Sequence, residues 1–471
     1  MIRVIMKKEI LEQFYSLKFT SILVICSVLI ILSLYTGAAN YNLEQGEYET
    51  TQTLARTELE GYSSYGDIGM QGVKVPKKPS PLSLIATGVQ GTLAKFATVR
   101  TMGGQPSLGP SKFAENPIFT VFGDLDLTFI VKVALSLLTI MLTYDAISGE
   151  QERGTLKLIL ANSIPRVHVI LAKMISLFLC LLIALLLPTL VGLLIVFNVF
   201  EVHFTGEEWL RMGFIFGVSG LYLLLMFALG MFVSARTQRS SVSLLLLLLF
   251  WVIFVSVIPR TAVIVAEQLR PTPAYSQIQS KMEANQRARI QEYTAQIREL
   301  MRSVQLGKGN IEAFQEKMES LRREMQKNIE ESNTKIMESY NRRKANLTQL
   351  AMNFSRVSPT SALSYAAMGL AGTGLRSHQH FLSDLKAYRK GLDQYIRERG
   401  GDSYLQMVQR FMTGETPKPG LDLSGLPVFR EHPETLVETM EQVLPDMVLL
   451  VAEAVVLLML AFLSFVQYEV R

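Results

Sequence analysis

The residues whose types and spacing suggest chemistry lie in one short charged segment, Ile147 to Leu160, which reads ISGEQERGTLKLIL. Its glutamates, arginine and lysine can pair with complementary charges on another molecule, and its glycines permit sharp reversals of the chain. The chemistry that this pattern predicts is electrostatic docking without bond making or breaking. The candidate site residues are Ser148, Gly149, Glu150, Glu152, Arg153, Gly154 and Thr155.

Both flanks of this segment are apolar over roughly the length of a membrane span, at Leu127 to Thr143 and at Val167 to Phe197. A segment that leaves the bilayer for so short a distance is expected to be amphipathic and held against the membrane. The side chains expected to lie on lipid or on neighbouring helices are Leu156, Leu158, Ile159 and Leu160. Those expected to face water are Glu150, Glu152, Arg153 and Lys157. The layout favours a docking surface for a cytosolic partner.

Composition indicates a membrane protein independently of this motif. Hydrophobic residues make up 49% of the 471, and the mean hydropathy is +0.27. Several apolar runs exceed the roughly 18 residues that a spanning helix requires. The predicted fold class is a mainly α, polytopic membrane protein with six transmembrane helices. The six predicted spans are Phe19–Ala39, Leu125–Tyr144, Val167–Phe197, Trp209–Val233, Val242–Ala266 and Asp446–Val466.

The distribution of basic residues predicts the orientation of these spans. Lysine and arginine precede the first span, populate the loops after the second and fourth, and end the chain at Arg471, whereas the loop after the third span carries Glu207 and Glu208. By the positive-inside rule, both termini and the docking segment are cytoplasmic. The net charge of +5 therefore reflects topology, and we do not expect a nucleic-acid partner.

Predicted domains follow from the spans. Residues 1–39 form a cytoplasmic lead and the first span, and residues 40–124 form an outer segment of loops and short elements. Residues 125–266 hold four spans with the coupling segment at 145–166 between the first two of these. A large outer domain covers 267–445, and the last span with a cytoplasmic tail covers 446–471.

Within the larger outer domain, apolar residues from Ile290 to Val304 and from Ile311 to Tyr340 recur at steps of three and four. This period predicts a helical hairpin over about 276–350, with arms on the order of 45–60 Å long. Such a hairpin is either a solvated stalk or a grip for a periplasmic partner or a second subunit.

Glu453 is a carboxylate inside the predicted last span, where a functional role is the default hypothesis. It either lines a substrate path or couples to a partner subunit, or it lies wet or protonated near the outer interface. Asp145, at the cytoplasmic end of the second span, is expected to cap a helix or to pair with Arg153 or Lys173.

Enzyme motifs are absent from the sequence. It contains no G-x-x-x-x-G-K-[ST] phosphate loop, no G-x-S-x-G nucleophile elbow and no H-E-x-x-H zinc motif. The five histidines fall on different sides of the predicted membrane, so we expect no metal cluster and no metal cofactor. We expect no enzymatic activity in this chain.

Several motifs together resemble the ABC-2 type permease superfamily, the membrane subunits of many ABC exporters. The docking segment carries the first part of the resemblance, through Asp145, Ser148-Gly149-Glu150, Glu152 to Leu156, Arg166 and Lys173. A second part resembles the subfamily with a large extracytoplasmic insert (the DUF3526 family), itself similar to permeases of gliding motility and of nitrous-oxide reductase maturation. Its motifs are Pro79 to Ser83, Asn116-Pro117, Phe122 to Asp126, Ser358 to Tyr365, Ala371 to Gly374, His380-Phe381, Tyr388-Arg389 and Tyr468 to Arg471.

The resemblance implies a permease of the bacterial inner membrane that exports an unidentified substrate. ATP and Mg²⁺ would be bound by a separate cytosolic ABC ATPase, which grips the coupling segment, and a second permease would complete a homodimer or heterodimer. The alternative is a mechanotransmission or assembly subunit, in which the same ATP-driven motion reaches a periplasmic partner through the hairpin and nothing crosses the bilayer.

Overall fold

The computed structural model describes residues 2–62, 64–101, 106–115, 125–161, 165–200, 202–305, 311–399 and 421–467. Six helices are long and apolar enough to cross a membrane, which confirms the predicted fold class. We call them TM1 to TM6, and their bounds are Leu17–Glu60, Leu127–Glu152, Arg166–Phe200, Gly206–Arg236, Ser240–Leu269 and Leu436–Val466. The motifs at Asn116-Pro117, at Phe122 to Asp124 and at Tyr468 to Arg471 lie outside the described residues.

Two of these helices contain a π-helical turn. TM2 consists of Leu127–Ile130, a π turn at Val131–Leu135, and Ser136–Thr143, followed by turns into its last segment. TM5 consists of Ser240–Val252, a π turn at Ile253–Val257, and Ile258–Leu269. A π turn leaves backbone carbonyls open to other partners, and a side chain from another element uses this opening in TM5, as described below.

Contacts divide the chain into two compact units, Met1–Pro259 with Arg356–Arg471, and Arg260–Ser355. The first unit contains the helix bundle, in which TM4 packs along TM6 and TM3 packs along TM1. A lead helix, Ile2–Tyr15, precedes TM1 and packs on TM3. The bundle core includes Phe19, Tyr222 and Leu450, all fully buried.

A short helix that is too short to be a candidate span is inserted among the spans. This inserted helix, Pro359–Leu370, begins with proline at its first position, where the missing N–H costs nothing. It packs against TM4 and TM6. Its small residues allow the close approach, since a Cβ on Gly369 would lie 2.9 Å from Cγ2 of Val443.

The remainder of the first unit lies at the end of the bundle where TM4 and TM6 begin. Strands β1 (Val73–Pro76), β2 (Phe96–Val99) and β3 (Ser107–Leu108) form an antiparallel sheet in the order β1-β2-β3. A cover helix, Leu375–Glu398, buries Phe381, Leu385 and Leu392 against the buried face of β1 and β2. Two segments far apart in sequence therefore share one core. Short helices at Tyr65–Gln71 and Lys112–Glu115 and 3₁₀ turns at Pro81–Leu84 and Gln90–Thr92 complete this region.

The second unit contains the outer part of TM5 and a helical hairpin. The hairpin arms are Tyr275–Gln305 and Ile311–Ser355, of 31 and 45 residues, or about 46 and 68 Å long at 1.5 Å per residue. The arms are antiparallel, since Tyr275 and Tyr340 place their ring centroids 6.1 Å apart and Asn285 donates to Asn333 at 3.2 Å. The predicted turn at Gly307 to Asn310 lies outside the described residues.

Candidate functional site

The docking segment folds as two short helices joined by a turn, which we call the elbow. Its helices are Ser148–Glu152, at the end of TM2, and Thr155–Ala161. Gly154 sits between them with φ +73° and has open space where a Cβ would lie. This is the left-handed conformation that favours glycine, so the expected reversal at Gly154 is present. Gly149 instead lies inside the first helix, and the expectation of a reversal there was wrong.

Glu150 does not face water, contrary to expectation. It is 9% exposed, and its Oε1 accepts from Nζ of Lys173 at 2.7 Å. Lys173, on TM3, is 3% exposed and also donates to Oε1 of Glu9 on the lead helix at 3.0 Å. The sequence pattern assigned Glu150 to the polar face because a charged residue is rarely buried unless it is paired, and its partners are distant in sequence. Glu9, Glu150 and Lys173 form a buried ion triad.

Asp145 pairs with neither Arg153 nor Lys173. Its carboxylate accepts from Nζ of Lys18, at the start of TM1, at 3.3 and 3.4 Å. The same ammonium lies 4.0 Å from the ring centroid of Tyr144. TM1 is therefore tied directly to the end of TM2, beside the elbow.

Further hydrogen bonds tie the elbow to TM4 and TM5. Oγ of Ser234, on TM4, accepts from the backbone N–H groups of Ile147 and Ser148, both at 3.1 Å. Glu152 accepts from the backbone N–H and the hydroxyl of Ser240, at 3.0 and 2.6 Å, where TM5 begins. Nearby, Arg166 donates to the carbonyl of Val466 at the end of TM6 at 3.0 Å. The lead helix and the elbow-side ends of all six spans thus meet at one end of the bundle.

The outward surface of the elbow is small and mixed in character. Arg153, Thr155 and Lys157 are exposed, and Leu158 is 69% exposed, whereas Leu156 is buried. Nε of Arg153 donates to the carbonyl of Gly149 at 3.0 Å, and Thr155 donates to the carbonyl of Glu150 at 3.3 Å. The expectation for Leu156 is confirmed and that for Leu158 is wrong. The side chains of Ile159 and Leu160 lie outside the described residues.

Glu453 lies in the interior of TM6, partly buried. Its Oε2 is buried and has no hydrogen-bond partner among the described residues. An unpaired carboxyl inside a span is unfavourable, so Glu453 remains a candidate functional residue by its position.

Sequence reasoning missed a second polar connection, around the inserted helix. Arg356, three residues before this helix, donates to both carboxylate oxygens of Asp446 on TM6, at 2.6 and 3.1 Å. Oγ of Ser358 donates to the carbonyl of Phe254 in the π turn of TM5. Tyr222 on TM4 donates to the carbonyl of Lys132 at 3.1 Å and lies 3.4 Å from the hydroxyl of Thr360. The only sequence signal was the Ser-Pro-Thr start of this helix.

Among the described residues, no group of three or more His, Cys, Asp or Glu side chains is arranged to hold a metal ion. What the structure defines is a polytopic helical membrane protein with a docking elbow tied to its helix ends. The model of the ABC-2 family transporter proteins matches residues 3–470. The chain belongs to this family, the membrane permeases of ABC transporters. No match was found among curated proteins.

Proposed function

We propose that this chain is the permease subunit of an ABC-2 type exporter, driven by a separate cytosolic ATPase that docks on the elbow. Membership in the ABC-2 family supports the assignment to a permease. The observation that carries the docking role is the position of the elbow, which bonds to the lead helix through Lys173 and directly to TM3, TM4 and TM5. No other short segment of the described chain has comparable connections to the ends of the spans.

These bonds suggest how motion would pass into the membrane. A force applied to the elbow acts on Glu150 and hence, through Lys173, on TM3 and on the lead helix. It also acts on TM5 through Glu152 and on TM4 through Ser234. Close-packed helices shift as rigid bodies between discrete arrangements. Closure of two ATPases would therefore move several spans together, between inward-facing and outward-facing states.

ATP and Mg²⁺ belong to the ATPase in this proposal. The permease has no phosphate loop in its sequence, so its own residues bind the motor and transmit its motion. By the positive-inside rule, the elbow end of the bundle faces the cytoplasm of a bacterial cell, with both termini on that side and the hairpin outside. A second permease, identical or different, completes the transporter.

The docking face consists of the exposed elbow residues. Arg153 and Lys157 supply positive charge, and Leu158 supplies an apolar anchor. Buried anchors surrounded by polar residues are the usual source of binding energy in an interface. Glu150 takes no direct part in this contact, because it is buried in the ion triad.

The test is a double variant, Lys157→Glu with Leu158→Asp, in the full chain. We expect at least about a tenfold loss of co-purifying ATPase, because the variant removes an anchor and reverses a charge, with membrane insertion unchanged. Arg298→Glu, an exposed charge reversal on the hairpin, is the control and should behave as wild type. An ATPase that co-purifies equally with the double variant would overturn the docking role.

The hairpin supports a second candidate function, mechanotransmission to a periplasmic partner. Residues 260–355 form a compact unit of their own, with arms of 31 and 45 residues. A substrate path through the spans does not require arms of this length. In this alternative the ATPase still binds the elbow, but the output is force on the partner, and nothing crosses the bilayer.

A further inference from the structure

Four basic residues at the base of the hairpin have no ion-pair partner among the described residues. They are Arg270, directly after TM5, and Arg342, Arg343 and Lys344 in the second arm, and all are exposed. Elsewhere on the hairpin, cations have carboxylate partners within one or two helical turns, such as Arg289 with Glu292 and Arg323 with Glu319. Near the base, the arrangement of charge changes.

The register of the hairpin places these four residues at one level. Tyr275 packs on Tyr340, and Asn285 donates to Asn333. In an antiparallel pair with this register, Arg342 to Lys344 lie about level with residues 271–276. They therefore sit within a few residues of Leu269, where TM5 ends.

The adjoining part of TM5 indicates where the hydrocarbon ends. Val263, Ile264 and Val265 are 54%, 56% and 44% exposed. Three successive residues point to different sides of a helix, so this helix is apolar over much of its circumference and suits lipid. In the second arm, residues 345–355 carry no charge, directly after Arg342-Arg343-Lys344. Both strands of the chain change from apolar or uncharged to cationic at the same height.

We propose that this basic cluster binds the headgroups of anionic phospholipids. Lysine and arginine beside an apolar membrane-facing surface bind phosphate, and guanidinium groups do so with two parallel hydrogen bonds. Each such residue near an anionic surface strengthens binding by about fivefold. The bound lipids fix the base of the hairpin to the membrane, so that the arms move with TM5. The inference requires only that TM5 spans the membrane, and it is independent of the ATPase.

The experiment is native mass spectrometry of the full chain in mild detergent, titrated with phosphatidylglycerol or phosphatidylcholine. For the wild type we expect a clear preference for phosphatidylglycerol that weakens as salt rises. Arg342→Gln, Arg343→Gln and Lys344→Gln combined should lower this preference by about tenfold or more. The control combines Arg298→Gln, Arg302→Gln and Lys317→Gln, which neutralise three exposed cations farther along the arms, and should stay within about twofold of wild type.

Three outcomes would overturn the proposal. The first is an unchanged lipid preference in the base variant with its helical content intact by circular dichroism. The second is an equal loss in the control, which would mean that any hairpin cations suffice. The third is loss of a dimer in the same spectra at constant lipid preference, which would assign the cluster to a second copy of the chain. Co-purification of the ATPase, measured in parallel, reports separately on the docking role.

Discussion

Lys173 holds two carboxylates, Glu9 and Glu150, where water is nearly excluded. With one cation and two anions, the triad has a charge of −1 if all three groups are ionised. Removing one member of a buried ion pair costs about 3–5 kcal/mol, because its partner is left charged and uncompensated. The cost of a substitution should therefore depend on which charge is removed.

We expect Lys173→Met to destabilise the protein far more than Glu150→Gln. The lysine variant leaves two buried carboxylates facing each other, whereas the glutamine variant leaves a balanced pair of Lys173 and Glu9. Thermal unfolding of the two purified variants in the same detergent measures the difference. Equal losses of stability, or a larger loss for Glu150→Gln, would contradict the triad as described.

The elbow depends on a single backbone conformation at its turn. Gly154 has φ +73°, and no neighbouring atom lies within 4 Å of the point that a Cβ would occupy, so an alanine there meets strain of the backbone alone. That strain is about 1–2 kcal/mol. The two elbow helices would then lose their fixed angle while the spans remain in place.

Accordingly, Gly154→Ala should increase amide hydrogen exchange across residues 148–158 and weaken ATPase association, without loss of membrane insertion. Gly213→Ala is the matched control, because Gly213 also has open space but lies inside TM4 with ordinary helical φ. The control should be neutral or slightly stabilising. Unchanged exchange in the Gly154 variant would show that the turn tolerates a Cβ.

The molecule as a whole consists of a bundle unit and a hairpin unit, and the ends of the hairpin lie close together. Tyr275 and Tyr340 are in ring contact, so a short glycine-serine linker can replace residues 276–339. We expect this variant to insert and to unfold within a few degrees of the wild type, because the core of the bundle unit lies outside the deleted residues. Failure to insert would show that the two units fold interdependently.

The same variant separates the two candidate functions. A transporter should keep ATPase binding and accumulation of substrate outside the cell, whereas a mechanotransmission subunit should keep the ATPase and lose the periplasmic partner and its output. The basic residues Arg342 to Lys344 are retained in this variant, so lipid binding at the base serves as an internal control.

Long uniform patterns made much of the fold predictable. Apolar runs of span length predicted all six candidate membrane helices, since a bilayer requires continuous apolar surface. The three-and-four period similarly indicated the two hairpin arms. The inserted helix gave no comparable signal, because its small residues are specified by the helices packed around it and not by a repeat of its own.

The sequence by itself determined the class of the protein and the location of its elbow, because hydropathy and a local motif are properties of neighbouring residues. Only the tertiary structure decided the partner of each charge. Glu150 is buried with Lys173 and Glu9, Asp145 pairs with Lys18, and Asp446 pairs with Arg356. A charge can be buried only when the fold brings an opposite charge to it, and in each of these pairs the two partners are more than twenty residues apart in the chain.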